Sequence, residues 1–121
     1  MTHFHDVISG LRQPTRELKD AIPDAWAGFA ALGEHALAPG ALPAHVKELV
    51  ALAITVSKEC DGCIAYHSRG AATKGATREE LAEVLAVALL MNGGPASVYG
   101  PRAWAAFDEF APTPTPPAEA L

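Results

Sequence analysis

The sequence predicts an all-α domain of about five to six helices, and three observations carry that prediction. Half of the 121 residues are hydrophobic and 19% are charged, which supplies enough apolar material for a packed core. Aromatic residues make up only 7% while alanine is frequent, a balance that favours closely packed helices over a β-sandwich. No stretch alternates polar and apolar residues as a half-buried strand does, and no internal repeat is visible. The length is typical of one domain.

The first two predicted helices lie in the N-terminal third. Residues 1–22 show little pattern, and we expect one short helix there that starts at Pro14, because proline is tolerated at the first helical position. Asp24 can cap a second helix that runs to about Leu37. The Ala-Pro-Gly run at 38–40 then ends the helical pattern. The expected apolar side of the second helix consists of Trp26, Phe29, Ala30, Leu32 and Gly33.

A third predicted helix begins at Pro43 and runs to about Lys58. Leu52 and Ile54 make its second half apolar nearly all round, and we therefore expect this helix to be central and buried. The apolar residues that follow the helical period of 3.6 are Val46, Leu49, Val50, Ala53 and Val56.

Two further helices are marked by the signals at their ends. One is expected over residues 61–74, and Gly75 fits the left-handed position that follows a helix. Thr77 and Glu80 have the spacing of a capping box, in which each side chain binds the other residue's backbone amide. The helix that this box starts ends at the Asn-Gly-Gly run at 92–94. Its apolar face consists of Leu81, Val84, Leu85, Ala88 and Leu89.

A last helix is predicted to begin at Pro95, with a kink or interruption at the Gly-Pro pair at 100–101. Its expected core residues are Val98, Trp104, Ala105 and Phe107. The proline-rich run that follows cannot hold a helix or a central strand, so residues 111–121 are expected to form a disordered tail. The predicted organisation is thus an N-terminal segment over 1–22, a helical core over 23–110 and this tail.

Charge and hydropathy exclude several classes of function. The net charge is −5 and no basic cluster is present, so neither nucleic acid nor an anionic membrane is an expected partner. The longest apolar stretches, at 49–56 and 84–91, are far shorter than the ~20 residues that span a bilayer. The N-terminus lacks the basic and apolar regions of a signal peptide, and a reducing, cytoplasmic location is therefore expected.

Both cysteines fall in one run, Cys60-Asp61-Gly62-Cys63, at the predicted start of a helix. This spacing permits a small-loop disulfide and prevents the pair from joining distant parts of the fold. The unpaired amides and partial positive charge of a helix N-terminus stabilise a thiolate, which lowers a cysteine pKa below its free value of ~8.5. Asp61 opposes this effect unless its carboxylate caps the helix.

A histidine and a glutamate complete the candidate site. His67 follows Cys63 by four residues, which on a helix places the imidazole on the same face as the sulfur, where it can take up the thiol proton. Glu48 lies on the preceding predicted helix, and in an antiparallel hairpin its carboxylate can reach His67 directly or through one water. Such a carboxylate would orient the imidazole and accept its proton. Tyr66 and Ser68 are assigned only supporting roles.

Other interpretations of these residues stay open. The cysteines could be small buried apolar residues, His67 an ordinary interhelical histidine, and Glu48 a carboxylate that stabilises a helix N-terminus. The same four side chains could bind zinc, but structural zinc sites normally draw ligands from two separated knuckles, and the sequence has no second CxxC. We therefore predict no metal and no cofactor. The remaining histidines lack partner spacing and are expected to be solvated; they are His3, His5, His35 and His45.

Three segments of the chain carry a family likeness: KELVALA at 47–53, CDGCIAYH at 60–67 and GATREE at 75–80. They resemble the alkylhydroperoxidase AhpD-like core of the carboxymuconolactone decarboxylase superfamily. The pattern E-x11-C-x2-C-x3-H is specific to the redox branch of that family, and the likeness covers roughly residues 20–110. It implies an all-α fold, trimers or hexamers of the chain, and thiol-dependent reduction of organic hydroperoxides.

The resemblance also implies a role for each site residue. Cys63 would be the peroxidatic cysteine, Cys60 the resolving cysteine, and His67 with Glu48 the proton relay. Some active members carry a histidine directly before the second cysteine, where this chain has Gly62, so the expected relay is shorter. The implied partners are a small hydroperoxide and a dithiol or thioredoxin-like reductant.

Two other functions stay open at this point. A redox-sensing or dithiol-exchange module would use the same cysteines without peroxide turnover. A decarboxylase-type lyase acting on a lactone acid is disfavoured by the CxxC pair and by the lack of an obvious Arg or Lys clamp for a substrate carboxylate. The Ala-rich helices, and the exposed apolar residues expected on so small a unit, also favour a homo-oligomer.

Overall fold

The computed structural model describes residues 2–112, which fold into six α-helices. The helices are α1 (His3–Ala21), α2 (Pro23–Leu37), α3 (Ala44–Lys58), α4 (Asp61–Thr73), α5 (Arg78–Asn92) and α6 (Ala96–Phe110). The described residues contain no strand, so the predicted all-α single domain is confirmed. None of these six helices is long and apolar enough to cross a membrane. Most of the predicted tail, residues 113–121, lies outside the described residues, and residues 111–112 do not continue α6.

Helix α4 is the central element of the fold. It packs against α3, α6 and α1, while α5 packs against α3 and α6. The core includes Leu52 of α3, Ile64 of α4 and Leu81 of α5, each fully excluded from solvent. Burial of side chains of this size stabilises the fold by roughly 1.5–3 kcal/mol each. The helix that carries the cysteine run is therefore held from several sides.

The prediction of a short helix starting at Pro14 is wrong, because α1 begins well before Pro14 and continues through it. Phe4 and Ile8 lie one turn apart, and both are buried in the core. The carboxylate of Glu109 on α6 accepts hydrogen bonds from the amides of Phe4 and His5 at 3.1 and 3.2 Å, so it satisfies free donors at the helix start. This packing and capping offset the backbone hydrogen bond that the proline ring removes.

Other helix ends follow the predicted signals. Thr77 Oγ1 accepts a hydrogen bond from the Glu80 N–H at 3.1 Å, and Glu80 Oε1 accepts one from the Thr77 N–H at 2.9 Å, which confirms the capping box. Gly75 has a φ of 91°, in the left-handed region expected after α4. The predicted interruption at 100–101 is not present, because α6 runs unbroken through Pro101. That proline is exposed, so its ring meets solvent and only one backbone bond is lost.

Several residues predicted to lie in the core are exposed in the single chain. Helix α2 ends at Leu37 as predicted, but it begins at Pro23, so Asp24 lies in its first turn and is not its cap, because the proline takes the first helical position; the helix contributes no fully buried side chain. The helical period identifies the apolar face of a helix, but it does not show whether other helices of the same chain pack against that face. In this chain much of the predicted apolar surface is exposed to solvent. The exposed members of the predicted faces are Phe29, Leu32, Val50, Ile54, Leu89 and Val98.

Candidate active site

A two-residue turn between α3 and α4 places the cysteines. Glu59 follows α3 with the left-handed dihedral angles φ 55° and ψ 43°. Its N–H donates to the carbonyl of Val56, and the N–H of Cys60 donates to that of Thr55, both at 3.2 Å. Cys60 is then extended and forms the N-cap of α4. The chain thus reverses within two residues, and α3 and α4 form the predicted hairpin.

The cysteines lie at the start of α4. The Cys60 Sγ atom accepts a hydrogen bond from the Cys63 N–H at 3.2 Å, as an N-cap side chain does. The two sulfurs are joined in a disulfide, and the Cα atoms lie 5.2 Å apart. Both residues are partly exposed, so a small molecule can approach them. After reduction, the unpaired amides of this helix end would stabilise a thiolate.

Asp61, between the cysteines, is bound by groups from two other helices. Its carboxylate accepts hydrogen bonds from Arg102 Nε at 2.8 Å and Arg102 Nη2 at 2.6 Å, and His3 Nε2 lies 2.8 Å away. The hydrogen bonds from Arg102 are the main cause that lowers the pKa of Asp61 from its usual range. The positive charge of Arg102 therefore compensates the negative charge of Asp61 next to the sulfurs.

Three of the remaining histidines have partners that the sequence did not indicate, although His3 and His5 are exposed as predicted and only His45 is partly buried. Each lies within hydrogen-bond distance of a carboxylate from another helix, and spacing along the sequence could not reveal such partners. The pairs are His3–Asp61 at 2.8 Å, His5–Glu109 at 2.9 Å and His45–Glu80 at 3.2 Å.

Glu48 and His67 meet across the hairpin. His67 Nδ1 lies 2.9 Å from Glu48 Oε2, so the contact is direct and needs no bridging water. The Glu48 side chain is buried, whereas 30% of the His67 side chain is exposed. When Nδ1–H is donated to the carboxylate, Nε2 is the nitrogen that can accept a proton. His67 follows Cys63 by one helical turn and stands on the same face of α4.

Lys74 is a site residue that was not predicted from the sequence. Its Nζ lies 2.8 Å from Glu48 Oε1, so each oxygen of the buried carboxylate has a partner of its own. Without such partners a buried carboxylate would be costly to the fold. Lys74 follows His67 by seven residues, which places the two on one face of a helix. This seven-residue spacing is the sequence signal that points to Lys74, but the same spacing is also common on solvent-exposed helices.

The Glu48 carboxylate packs directly on the backbone of α4 at Gly70. A Cβ atom at this position would lie 2.6 Å from Glu48 Cδ and from Glu48 Oε2, far inside ordinary contact. A side chain of any size at position 70 would therefore displace the carboxylate. The sequence signal for this close approach is a single glycine inside a helical pattern, between His67 and Lys74.

The four predicted site residues form two contacts, one between the cysteines and one between Glu48 and His67. Within residues 2–112, no three His, Cys, Asp or Glu side chains converge as ligands for a metal ion. Tyr66 is exposed with the Arg69 guanidinium 5.4 Å from its ring centre, and Ser68 is fully buried. These two residues thus face away from one another, as their neighbouring positions on a helix require.

A sequence model of the carboxymuconolactone decarboxylase family matches residues 23–110 of the chain. The chain belongs to this family. The match runs from α2 to α6 and therefore includes both cysteines, Glu48, His67 and Lys74.

Proteins of several organisms are similar to this chain. The chain is 46% identical over 91 residues to an uncharacterized protein of Cupriavidus necator, covering 75% of this chain and 80% of that protein. It is 38% identical over 82 residues to uncharacterized protein 4 in the cox locus of Paracoccus denitrificans, covering 68% and 74%. The crystal structure of an apo carboxymuconolactone decarboxylase family protein from Legionella pneumophila matches with a TM-score of 0.89 and 37% identity, over 93% of this chain and 100% of that one.

Membership of the carboxymuconolactone decarboxylase family does not fix the reaction, because one fold supports several reactions and the residues of the site determine which one occurs. Here the site offers a cysteine pair that can give up and regain two electrons, and an oriented imidazole that can move a proton. Two cations that contact the site are already held by carboxylates, Lys74 by Glu48 and Arg102 by Asp61. A substrate carboxylate would have to compete with those partners.

Proposed function

We propose that this chain is a thiol-dependent peroxidase and disulfide oxidoreductase that reduces organic hydroperoxides. The observation that carries the proposal is the joined Cys60–Cys63 pair at the N-terminus of α4, one turn before an imidazole that a buried carboxylate orients. Reduction of a peroxide needs two electrons and a proton donor. A dithiol that closes to a disulfide supplies the electrons, and a histidine of this kind supplies the proton.

The proposed cycle starts from the reduced cysteine pair. The Cys63 thiolate attacks one oxygen of ROOH, the O–O bond breaks, the alcohol ROH leaves, and Cys63 becomes a sulfenic acid. His67 Nε2 takes the thiol proton beforehand and returns it to the departing alkoxide. The Cys60 thiol then attacks the Cys63 sulfur, which forms the disulfide and releases water. An external dithiol or thioredoxin-like donor reduces the disulfide by exchange and is itself oxidised.

Glu48 and Lys74 are proposed to hold the His67 imidazole in place and to share the charge that forms on it. The Glu48 carboxylate, 2.9 Å from His67 Nδ1, stabilises the imidazolium that forms when the thiol proton is taken up. Lys74, 2.8 Å from the other carboxylate oxygen, offsets part of that attraction. The imidazole can therefore both accept the proton and give it back within one cycle.

The test is reduction of an alkyl hydroperoxide by a small dithiol such as dithiothreitol, followed as consumption of the peroxide. The wild-type protein should turn over, and Cys63→Ser should abolish turnover. Cys60→Ser should leave a single oxidation event on each chain without an efficient cycle. Equal and full activity in both variants would refute the proposal. We propose a cytoplasmic site of action, where dithiol donors are maintained in the reduced state.

A second candidate is a redox-sensing or dithiol-exchange module without peroxide turnover, and the surroundings of Gly62 favour it. A Cβ atom at this position would lie 3.5 Å from a methyl group of Leu11 on α1, so the residue before Cys63 faces an apolar side chain instead of a proton donor. A reversible dithiol titration, combined with no consumption of peroxide, would support this candidate over the first.

The lyase alternative has less support from the site. Arg102 and Lys74 are basic side chains that contact the site, and both form ion pairs with carboxylates of the protein, Asp61 and Glu48. A spectrophotometric assay of a lactone acid decides this alternative. Turnover that persists in Cys63→Ser would favour the lyase and contradict the peroxidase.

We also propose that the chain acts as a homo-oligomer, a trimer or hexamer. Helix α2 contributes no fully buried side chain, and its Phe29 and Leu32 are 66% and 64% exposed. Between α3 and α5 lies an apolar groove of about 530 Å³, which could receive such side chains from a second copy. The groove is lined in part by Val46, Val50, Ile54, Val84 and Val87.

Light scattering tests the assembly, because it should give three or six times the 12.6 kDa of one chain. Val87→Glu places a charge in the groove at a position that is 60% exposed in the single chain, so it should dissociate the oligomer without unfolding the protomer. A wild-type protein that is monomeric at micromolar concentration would contradict the proposal.

A further inference from the structure

The carboxylate inside the cysteine run is fastened to the rest of the fold. Arg102 binds both oxygens of Asp61, with Nε at 2.8 Å and Nη2 at 2.6 Å. His3 Nε2 lies 2.8 Å from one of these oxygens and 3.4 Å from the guanidinium. One acidic side chain of α4 is thereby tied to α6 and to the first turn of α1. The Cys60–Cys63 pair itself makes no use of this carboxylate.

We propose that Arg102 is a positioning residue for the redox pair, which holds and neutralises the Asp61 carboxylate so that the reduced pair can carry a thiolate. The proposal rests on the proposed function only in that the cysteines cycle between dithiol and disulfide. It does not depend on the identity of the oxidant.

Reduction of the disulfide changes the charge at the cysteine pair. The disulfide is uncharged, whereas the reduced pair carries a negative charge on one sulfur when its thiol ionises. Asp61 lies directly after Cys60 and two residues before Cys63, so its own negative charge opposes that thiolate. The two-point bond from a guanidinium fixes the carboxylate in one place and supplies the compensating charge.

The other charges that face this part of the site come from each element packed around it. His3 approaches from α1, Arg102 from α6, and His67 stands on α4 itself. Lys58 and Glu59, in the turn from α3, are exposed and opposite in charge. Of these groups, only Arg102 is both permanently positive and bonded to Asp61 through two atoms, so it is the group to remove.

The experiment compares Arg102→Gln, Asp61→Asn and the double variant. Each protein is equilibrated with glutathione and dithiothreitol redox buffers one pH unit above the wild-type thiol pKa, where the reduced pair carries its thiolate. Arg102→Gln leaves the carboxylate uncompensated, and the exchange equilibrium should shift about three- to fivefold toward the disulfide. The thiol pKa, followed by thiolate absorbance, should rise by about half a unit to one unit.

Asp61→Asn removes the opposing charge and leaves the guanidinium, so both quantities should move the other way. The double variant removes both charges and should lie close to the wild type. A merely structural tie predicts instead that both single variants shift in the same direction and that the double variant shifts at least as far. Either that pattern or unchanged equilibria in the single variants would overturn the proposal.

Two controls complete the design. Arg78→Gln makes the same substitution at a guanidinium that pairs with Asp108 at 3.1 Å and is half exposed, and it should change neither quantity. Arg102→Lys keeps the positive charge but not the two-point bond, so the thiol pKa and the exchange equilibrium should lie closer to the wild-type values than to those of Arg102→Gln. The equilibrium uses no peroxide, so a protein without peroxidase turnover still answers the question. A wild-type disulfide that no dithiol reduces would overturn this proposal and the proposed function together.

Discussion

Replacement of Gly70 by alanine tests the architecture of the site with a single methyl group. In an ordinary helix interior this change is stabilising by about 0.5–1 kcal/mol, because glycine loses more conformational freedom on folding. At Gly70 the new Cβ would lie 2.6 Å from Cδ and Oε2 of Glu48 and 2.8 Å from Oε1. Ordinary contact begins at 3.4 Å, so the carboxylate would have to withdraw by most of an ångström.

The carboxylate has little freedom to withdraw. Glu48 is only 4% exposed, and its two oxygens are bound to His67 at 2.9 Å and to Lys74 at 2.8 Å. A hydrogen bond to a charged group contributes about 1.5–3 kcal/mol. Loss of both bonds, less the gain in helix propensity, should lower the free energy of unfolding by about 2–5 kcal/mol. For a domain of this size the melting temperature should fall by about 10–20 °C.

Thermal unfolding followed by circular dichroism measures this effect, and Gly10→Ala is the matched control. Gly10 also lies inside a helix, but a Cβ there meets no atom within 4 Å, so the change should be neutral or stabilising. In the background of Glu48→Ala the carboxylate is gone, and Gly70→Ala should no longer destabilise. A Gly70→Ala protein as stable as the wild type, or an equal loss in both backgrounds, would refute the packing argument.

Three further changes have expected outcomes. Lys74→Met leaves Oε1 of the buried Glu48 carboxylate without its hydrogen-bond donor, so the free energy of unfolding should fall by about 1–3 kcal/mol; an unchanged denaturant midpoint would contradict this. Asp61 has a pKa lowered mainly by its hydrogen bonds from Arg102, so it stabilises the fold above the unfolded value of ~3.9, and this contribution is lost as the pH falls through the folded value. An acid titration should therefore show a difference in stability between the wild type and Asp61→Asn at neutral pH that disappears once the pH falls below the lowered pKa of Asp61 in the folded state. Glu109→Gln weakens the cap on α1, and amide hydrogen exchange should rise in the first turn of that helix more than elsewhere.

Most helix ends could be predicted because neighbouring residues decide them. The Thr77–Glu80 box contains both of its hydrogen bonds within four residues, and Gly75 supplies a left-handed conformation without help from other elements. The meeting of Glu48 with His67 could be predicted for a related reason. It follows from helical spacing and a two-residue turn, both of which are local properties of the chain.

The features that could not be predicted depend on residues far apart in the sequence. The start of α1 is held by the carboxylate of Glu109, which lies 105 residues from Phe4. Arg102 and Asp61 are 41 residues apart, and no pattern in either segment indicates the other. Lys74 follows the end of its helix, where a lysine is expected on general grounds, so its role appears only once Glu48 is seen to be buried.

The charges next to the cysteine pair are compensated locally, which matters in a chain with a net charge of −5. Two of the carboxylates near the pair each have one histidine and one cation as partners: Glu48 has His67 and Lys74, and Asp61 has His3 and Arg102. Repulsion from the distant excess acid is screened over about 10 Å at moderate ionic strength, whereas these adjacent partners are not. The reactivity of the cysteines is therefore governed by two small neutral clusters and little by the net charge.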